Sequence, residues 1–234
     1  AATLVNGQIQ GNKNSTITGI CSIEQPKAGC ISMLSRTPRD SSTVRDAIAA
    51  GISALLLPEH LKEKLTDHEQ SSLGLIIHPT PLQAMVELVL AFHEFVRPKA
   101  GISEKSDIHE TALIGPNVSI QAFCSVGANA IIEEGAVLYP HVVIYPNARI
   151  GARAILHSGV VVREECEVGA DAVIQNGAII GSDGFGYYPH PELGLAAVPQ
   201  VGKVVLAARA DVGANACIDR GAFGDTRIDI GSKL

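Results

Sequence analysis

The chain has few aromatic residues: its 234 residues are 46% hydrophobic but only 4% aromatic, and it has no tryptophan. Small aliphatic side chains must therefore fill its core, as a narrow architecture demands. No apolar run approaches the roughly 18 residues needed to span a bilayer, and no signal peptide opens the chain. The net charge of −6 argues against a general nucleic-acid binder, which would normally be basic. We therefore expect a protein that neither spans a membrane nor binds nucleic acid.

An aliphatic residue returns at every sixth position between Ile108 and Ile180, and a small residue follows each one four positions later. The aliphatic positions are Ile108, Ile114, Ile120, Val126, Ile132, Leu138, Ile144, Ile150, Leu156, Val162, Val168, Ile174 and Ile180. The small positions are Ala112, Val118, Cys124, Ala130, Ala136, Val142, Ala148, Ala154, Val160, Cys166, Ala172, Ala178 and Gly184. This pattern is a hexapeptide repeat.

The six-residue period predicts a parallel β-helix. A helix would repeat its apolar residues at steps of three and four, and a simple strand at steps of two. A step of six fits short strands joined by tight bends, with the aliphatic side chain pointing inward at each repeat. Asn117, Asn129, Asn147 and Asp171 supply bend positions where a positive φ costs little. Successive coils would then stack about 4.8 Å apart through backbone hydrogen bonds, forming a solenoid.

The five cysteines are scattered along the chain and have no CxxC spacing. Cys124 and Cys166 fall on the small-residue position of the repeat, where a thiol acts as a compact apolar filler. We expect that filling role for them, and no metal site in the chain. Such a set of cysteines also indicates a reducing compartment, which predicts a cytoplasmic location.

Residues 1–97 lack the six-residue period and are predicted to form a small α/β domain. The predicted elements are strands at 16–22, 31–35, 54–57 and 73–77, a helix that runs through residue 50 and a short helix at 58–65. Thr80 and Pro81 then begin the clearest helix, with the threonine at the N-cap and the proline at the first helical position. The apolar residues expected to face the sheet are Met85, Leu88, Val89 and Phe92.

Residues 98–107 are predicted to be a linker, and residues 108–234 the β-helix. The aliphatic step breaks after Ile180 and resumes at Leu206, and this step of 26 residues is not a multiple of six. An insertion loop at about 181–203 is therefore expected to leave the solenoid. Loops on a rigid scaffold are where function concentrates. The chain ends at Leu234 in the middle of a repeat, so we expect the repeats to continue beyond it.

Four motifs occur in order around and after the insertion. They are Ile-Gly-Ser-Asp-Gly-Phe-Gly-Tyr at 180–187, Pro-Gln at 199–200, Val-Gly-Ala-Asn-Ala-Cys-Ile-Asp-Arg-Gly at 212–221 and Gly-Asp-Thr at 224–226. Together with the leading α/β domain they resemble the UDP-3-O-acylglucosamine N-acyltransferases of lipid A biosynthesis, the LpxD family. The resemblance covers nearly the whole chain. The insertion motif and the Ile-Asp-Arg-Gly segment make it specific, because many acyltransferases share the bare hexapeptide repeat.

This resemblance implies a left-handed parallel β-helix that assembles as a homotrimer, with active sites in clefts between subunits. It implies transfer of a 3-hydroxyacyl group from acyl carrier protein to the 2-amine of a UDP-3-O-acylglucosamine, without a cofactor. An amine that attacks a thioester needs a general base for its proton and donors for the developing oxyanion. The family's catalytic histidine would follow shortly after Leu234, so no catalytic residue is expected within this chain.

None of the eight histidines matches the family's catalytic position. His109, His141 and His157 belong to the repeat coils, and we expect them at solvated or bend positions.

The first domain of the family clamps uracil between aromatic residues just after an Ile-Thr-Phe-like strand. The matching segment here is residues 31–39, where Met33 and Arg39 stand in place of aromatics and Arg36 lies between them. An arginine at this place can stack on a base or meet a phosphate. The resemblance thus implies nucleotide binding by this domain, with altered contacts.

The residues predicted to line the substrate cleft are Asp183, Phe185, Tyr187, Gln200, Asp219 and Arg220. Phe185 and Tyr187 would contact an acyl tail or a neighbouring subunit, whereas Asp219 and Arg220 have the alternative of pairing with each other. An acidic carrier protein would also need a local basic patch. The late-chain cations that would supply it are Lys203, Arg209, Arg220, Arg227 and Lys233.

Two other interpretations stay open. One is a different hexapeptide-repeat acyltransferase, and the other is a non-catalytic trimeric scaffold or binding protein that lacks the catalytic histidine. A γ-type carbonic anhydrase is a poor fit, because it needs three clustered histidines that the spacing of His109, His141 and His157 does not offer.

Overall fold

The computed structural model describes residues 1–36 and 42–234. It divides into two compact units, Ala1–Val96 and Arg97–Leu234.

The first unit is built on a five-stranded sheet. Its strands are β1 (Gln8–Gly11), β2 (Gly19–Ile20), β3 (Cys30–Met33), β4 (Ala54–Leu57) and β5 (Gly74–Ile77). The spatial order is β1-β5-β4-β3-β2. Strands β2 to β5 run parallel, and β1 pairs antiparallel with β5 at the edge. Helices lie in the connections from β3 to β4 and from β4 to β5, whereas residues 21–29 connect β2 to β3 without a helix.

Four helices accompany this sheet. They are α1 (Thr43–Ala49), α2 (Glu59–Lys62), α3 (Asp67–Ser72) and α4 (Pro81–Phe92). The predicted strand at 54–57 and the helix opened by Pro81 are confirmed, while the predicted strand at 16–22 shrinks to β2 and the helix at 58–65 to α2. Helix α3 was not predicted, although Thr66 and Glu69 form a capping box at its start.

Both faces of the first sheet are covered. Leu55, Leu57 and Leu75 pack in one apolar cluster, whereas Leu56 and Ile76 pack in another on the opposite face. Side chains of a strand alternate between its two faces, so β4 and β5 are buried on both sides. This three-layer arrangement is the α/β domain that the alternation of strands and helices predicts.

On α4, the buried positions include Ala84, Met85 and Leu88, whereas Phe92 at its end is 39% exposed. The prediction that Phe92 faces the sheet is therefore wrong, because the helix ends at that residue and its last turn leaves the apolar core.

The second unit is a solenoid of very short strands. In chain order they are β6 (Gly101–Ile102), β7 (Asp107–Ile108), β8 (Leu113–Ile114), β9 (Ser119–Ile120), β10 (Ser125–Val126), β11 (Ile131–Ile132), β12 (Val137–Leu138), β13 (Val143–Ile144), β14 (Arg149–Ile150), β15 (Ile155–Leu156), β16 (Val161–Val162), β17 (Glu167–Val168), β18 (Val173–Ile174), β19 (Ile179–Asp183), β20 (Tyr187–His190), β21 (Gly194–Ala197), β22 (Val204–Leu206), β23 (Asp211–Val212), β24 (Cys217–Arg220) and β25 (Thr226–Ile228). All of them except β20 and β21 belong to three parallel six-stranded sheets.

Each coil of the solenoid takes 18 residues, since Val126 pairs with Ile144 and Ile144 pairs with Val162. Three steps of six residues therefore complete one turn, with one strand in each sheet. The repeated aliphatic and small residues fill a single continuous interior, in which Leu138 and Leu156 have no exposed surface. The predicted left-handed parallel β-helix is confirmed.

A residue in the left-handed region turns the chain at nearly every corner. The four predicted bend residues have φ from 56° to 60°: Asn117, Asn129, Asn147 and Asp171. Phe123 and His141 take the same conformation at 63° and 65°, although their side chains do not favour it. The fold therefore imposes the left-handed conformation at each corner, and asparagine adopts that conformation with little strain.

The solenoid begins earlier than predicted. Strand β6 lies inside the predicted linker 98–107 and pairs with β9, so this segment already forms part of the first coil. Ile102 lies six residues before Ile108, so the aliphatic step already extends into this segment, although Ile102 itself is exposed.

The insertion forms a β-hairpin of β20 and β21, which pair antiparallel from Tyr187 opposite Ala197 to His190 opposite Gly194.

Within the described parts of the chain, no helix combines the length and apolar character that a membrane crossing requires.

Candidate functional site

The insertion leaves the solenoid at a bulge centred on Gly181. The pairing of β19 with β24 shifts register there, because Ile180 lies opposite Ile218 but Ser182 lies opposite Asp219. Gly181 has a φ of 95°, and a Cβ built on it would lie only 2.3 Å from Cys166 Sγ. Only glycine fits this bulge without strain.

Arg220, the last residue of β24, ties this bulge to the coil below it. Its side chain is only 7% exposed. Nε donates a hydrogen bond to the Gly181 carbonyl at 2.8 Å, and Nη2 donates to the Glu164 carbonyl at 3.0 Å. Nη2 also lies 3.2 Å from Glu164 Oε1. A guanidinium holds its donors in a rigid planar fork, so one side chain satisfies two backbone segments at once.

Two further charges complete a network around Arg220. Arg163 Nη2 donates to Glu164 Oε1 at 2.6 Å, and Arg163 Nη1 donates to Asp183 Oδ1 at 3.2 Å. The hydrogen bond from Arg163 holds the pKa of the Glu164 carboxyl below its ordinary value, and the charge of Arg220 acts in the same direction. Two cations and two carboxylates thus balance one another at the base of the insertion.

The alternative that Asp219 and Arg220 pair with each other is wrong. Along β24 the side chains alternate, so Ile218 and Arg220 are buried while Cys217 and Asp219 are exposed. Neighbouring residues of one strand point to opposite faces, which keeps the two charged groups apart. The carboxylates near Arg220 are instead those of Glu164 and Asp183, the latter at 3.9 Å.

Phe185 and Tyr187 project from the insertion into solvent. Phe185 is 96% exposed and Tyr187 is 52% exposed. Their ring centroids lie 5.0 Å apart with the planes inclined at 60°. Two aromatic rings held together in this way offer apolar surface that the chain itself does not cover.

The segment that bears Phe185 lies over Gln200. A Cβ at Gly184 would lie 3.4 Å from Gln200 Oε1, and one at Gly186 would lie 3.3 Å from Gln200 Nε2. Gln200 is itself fixed, because Nε2 donates to the Val198 carbonyl at 3.0 Å. The backbone on both sides of Phe185 therefore packs against the side-chain amide of Gln200, which its own hydrogen bond holds in place.

The structure brings the six predicted cleft residues together at the base of the hairpin. Asp183 joins Arg220 through the charge network. Gly184 lies between Gln200 and Asp219, and a Cβ built on Gly184 would lie 3.8 Å from the Cβ of Asp219. The roles of these residues in binding stay predictions.

Two residues of the site, Arg163 and Glu164, were not predicted from the sequence. The signal that could have found them is the coil length, since 163 plus 18 is 181 and one coil therefore separates Arg163 from the bulge. Phe223 was also left out, although it is 81% exposed in a turn whose Gly224 carbonyl lies against Gly202.

Four of the five late-chain cations predicted to form a basic patch, all except Arg209, are buried or paired with carboxylates. Arg220 is buried, and Lys203 is paired with Glu167. Arg227 and Lys233 pair with aspartates at 2.6 Å. Each pair is close to neutral from a distance, so the basic docking surface predicted from these residues is weakened.

The repeat histidines stack on aromatic rings or bond locally. His141 stacks on Phe123 at 5.2 Å between centroids, and His157 stacks on Tyr139 at 4.9 Å. His109 contacts Thr111. Among the described residues, no group of three or more histidine, cysteine, aspartate or glutamate side chains could hold a metal ion.

Cys124 and Cys166 lie on the solenoid interior with almost no exposed surface. Burial raises the pKa of both thiols, so they remain protonated at neutral pH. Their predicted role as compact fillers of the core is confirmed.

The first unit contains a cavity of about 860 Å³. Its described lining residues are Ile20, Cys21, Ser22, Ile23, Glu24, Met33, Leu34, Ser35, Arg36, Thr43 and Met85. None of these is aromatic, whereas Met33 and Arg36 both belong to the segment that the family resemblance associates with uracil. Arg39 lies outside the described residues.

Comparison with known proteins finds relatives that are similar to the whole chain. It is 37% identical over 234 residues to the UDP-3-O-acylglucosamine N-acyltransferase of Cytophaga hutchinsonii, a match that covers all of this chain. It is 40% identical over 233 residues to the enzyme of the same name from Nitrosococcus oceani, covering 97% of this chain. Over its whole length the chain is similar to proteins named UDP-3-O-acylglucosamine N-acyltransferase. The chain spans 65% and 63% of the length of these two relatives.

Other comparisons concern parts of the chain. Residues 96–183 match the model of the GMPPB C-terminal domain. An Arabidopsis UDP-N-acetylglucosamine acyltransferase structure is 22% identical, covers 54% of this chain and 44% of its own, and has a TM-score of 0.46. The PerB structure from Caulobacter crescentus is 17% identical, covers 80% and 71%, and has a TM-score of 0.42. Both scores are below 0.5, so the similarity to the N-acyltransferases is one of sequence.

Proposed function

We propose that this protein is an N-acyltransferase of lipid A biosynthesis that transfers a 3-hydroxyacyl group from acyl carrier protein to the 2-amine of a UDP-3-O-acylglucosamine. The observation that carries the proposal is the 37% identity over the whole chain to an enzyme of that name. In the reaction, the amine nitrogen forms a bond to the thioester carbonyl carbon, the carbon–sulfur bond breaks, and the amine proton passes to a base. The catalytic histidine expected after Leu234 would be that base.

The base of the hairpin is the proposed contact surface for the substrates. Phe185 and Tyr187 present bare aromatic surface, which suits the methylene chain of an acyl group. Asp183 is 62% exposed on its side chain, which leaves its carboxylate accessible beside that apolar surface. These side chains are proposed to bind and orient substrates.

The cavity of the first unit is the proposed site for the nucleotide part of the acceptor. Its volume of about 860 Å³ lies in the usual range of small-molecule sites. Arg36 can meet a phosphate or stack on a base, and Met33 offers a flexible apolar contact. Both side chains would take over contacts that aromatics make in the family.

We further propose that the protein acts as a homotrimer and in the cytoplasm. The exposed rings of the insertion support a subunit contact, because patches of this kind commonly mark interfaces. The five free thiols support a reducing compartment.

The test is a transfer assay with the protein as its gene encodes it. A 3-hydroxyacyl thioester of acyl carrier protein and UDP-3-O-acylglucosamine are supplied, and the new amide is detected by mass spectrometry. We expect amide formation, with the coenzyme A thioester a poorer donor. Product with the coenzyme A thioester alone would indicate another acyltransferase of this fold. No product with either donor, together with binding of the nucleotide sugar, would favour the non-catalytic binding protein.

Two variants check the proposed surface. Tyr187→Ala should lower the transfer rate, whereas Tyr188→Ala is a matched control, because Tyr188 is similarly exposed on the opposite face of β20. Equal effects of both variants would contradict the proposed placement of the substrate.

A further inference from the structure

The insertion disturbs the backbone hydrogen bonding of the solenoid at the point where it leaves the coils. The register shift at Gly181 takes its carbonyl out of the regular strand ladder. A bulge leaves one residue unpaired, and a buried carbonyl without a donor is costly. In this chain the donor is a side chain, the Nε of Arg220.

Arg220 reaches this carbonyl from the strand that follows the insertion. It therefore joins three segments that are distant in the chain: the coil at Glu164, the bulge at Gly181 and its own strand β24. The side chain thus holds the exit end of the insertion, at Gly181 and Asp183, against the coil that carries Glu164.

We propose that Arg220 is a positioning residue that clamps the base of the insertion and so holds Phe185 and Tyr187 at one orientation toward the acyl substrate. The role of the acyl substrate rests on the proposed function. Arg163 acts as a second point of the clamp, since it holds Asp183 from the coil below.

The burial of Arg220 separates this role from direct substrate binding. Its side chain is 7% exposed, and its Nε and Nη2 both donate to backbone carbonyls. Arg227, seven residues on, is 66% exposed on its side chain and pairs only with Asp225. A ligand could reach Arg227 freely, whereas Arg220 is occupied by the chain.

The experiment compares Arg220→Met and Arg220→Lys with the control Arg227→Met in the whole protein as its gene encodes it. Methionine keeps the length of the side chain but removes its donors, and lysine keeps the charge but cannot reach two carbonyls in a planar fork. Backbone hydrogen exchange is measured over residues 182–200 and, as an internal reference, over coils 137–162. Steady-state kcat and KM for the nucleotide sugar are measured on the same samples.

We expect Arg220→Met to speed exchange over 182–200 by about tenfold or more, with coils 137–162 unchanged. If the hairpin is correctly held for only a fraction of the time, apparent KM rises by the inverse of that fraction while kcat changes little. Arg220→Lys should fall between wild type and Arg220→Met, and Arg227→Met should match wild type in hydrogen exchange over 182–200.

Three results would overturn the clamp. Unchanged exchange over 182–200 in Arg220→Met removes its premise, and faster exchange through coils 137–162 makes Arg220 a residue of global folding. Faster local exchange with an unchanged KM removes its link to the substrate. A wild-type protein without transfer activity would instead refute the proposed function, while the exchange data would still decide whether the clamp exists.

Discussion

Gly181 lies where the insertion leaves the solenoid, and we predict that Gly181→Ala destabilises this unit by about 3 kcal/mol. The new Cβ would lie 2.3 Å from Cys166 Sγ and 3.2 Å from Arg163 Cβ. At a φ of 95° the alanine would also be strained whatever the space. Such strain costs about 1–3 kcal/mol, and overpacking a core costs about 1–3 kcal/mol more.

A double-mutant cycle separates the two costs. Cys166→Ala removes the sulfur that Gly181→Ala would meet, but it also takes the acceptor 3.4 Å from the Val204 N–H and should cost about 1–2 kcal/mol alone. In the double variant the contact with sulfur is gone, so the backbone strain and the cost of Cys166→Ala itself remain. The double variant should therefore be more stable than the sum of the singles by about 1–3 kcal/mol.

Tyrosine fluorescence during guanidinium unfolding is a suitable assay. The chain has no tryptophan, and all four tyrosines lie in the unit Arg97–Leu234, so the signal reports the solenoid alone. Gly224→Ala is the control, because a Cβ there has nothing within 4 Å and should change stability by no more than about 0.5 kcal/mol. Additive single effects, or a Gly181→Ala variant as stable as the control, would refute the steric reasoning.

The remaining predictions concern the charge network, a helix cap and the core. Because the pKa of Glu164 is lowered, first by Arg163, its stabilisation is complete above the ordinary glutamate pKa and is lost as pH falls through the lowered value. Glu164→Gln should therefore be less stable than wild type at pH 7, and the gap should close toward about pH 4 and below in the same fluorescence assay; a gap independent of pH would contradict this. Thr66→Ala removes a capping box and should cost about 1 kcal/mol by far-ultraviolet circular dichroism, with Thr66→Ser near wild type. Leu156→Ala should cost about 2–5 kcal/mol in the fluorescence assay, since Leu156 is fully buried, and a loss below about 1 kcal/mol would count against a close-packed interior.

The solenoid was predictable because its signal is redundant. Thirteen aliphatic residues in phase leave no other period, and a corner such as Asn117 marks the bends independently. Two elements of the first unit escaped prediction for different reasons. Strand β1 is an exposed edge strand with little apolar alternation. Helix α3 has a Thr66–Glu69 capping signal but almost no apolar face, since Glu69 is its one buried residue.

The candidate site was predictable only in part. Its members were found because the insertion interrupts the repeat and carries unusual residues such as Phe185. Their arrangement could not be predicted, because the partner of Arg220 depends on the alternation of side chains along β24 and on the coil that brings Glu164 beneath the bulge. Both depend on three-dimensional register, which a local reading of neighbouring residues does not contain.

The insertion leaves the ladder of the solenoid in phase, which explains how the fold tolerates it. Glu167 pairs with Val205 and Ile179 with Cys217, and each offset of 38 residues equals one coil of 18 plus 20 inserted residues. All three sheets shift by the same count, so the next repeat positions, Leu206, Val212 and Ile218, return to the interior. The insertion therefore removes none of these repeat residues from the core. Its structural demand is confined to the exit corner, where a bulge frees one carbonyl and Arg220 takes it up. Stability then resides in the coils, while the exposed hairpin can vary its contacts with little effect on the frame that holds it.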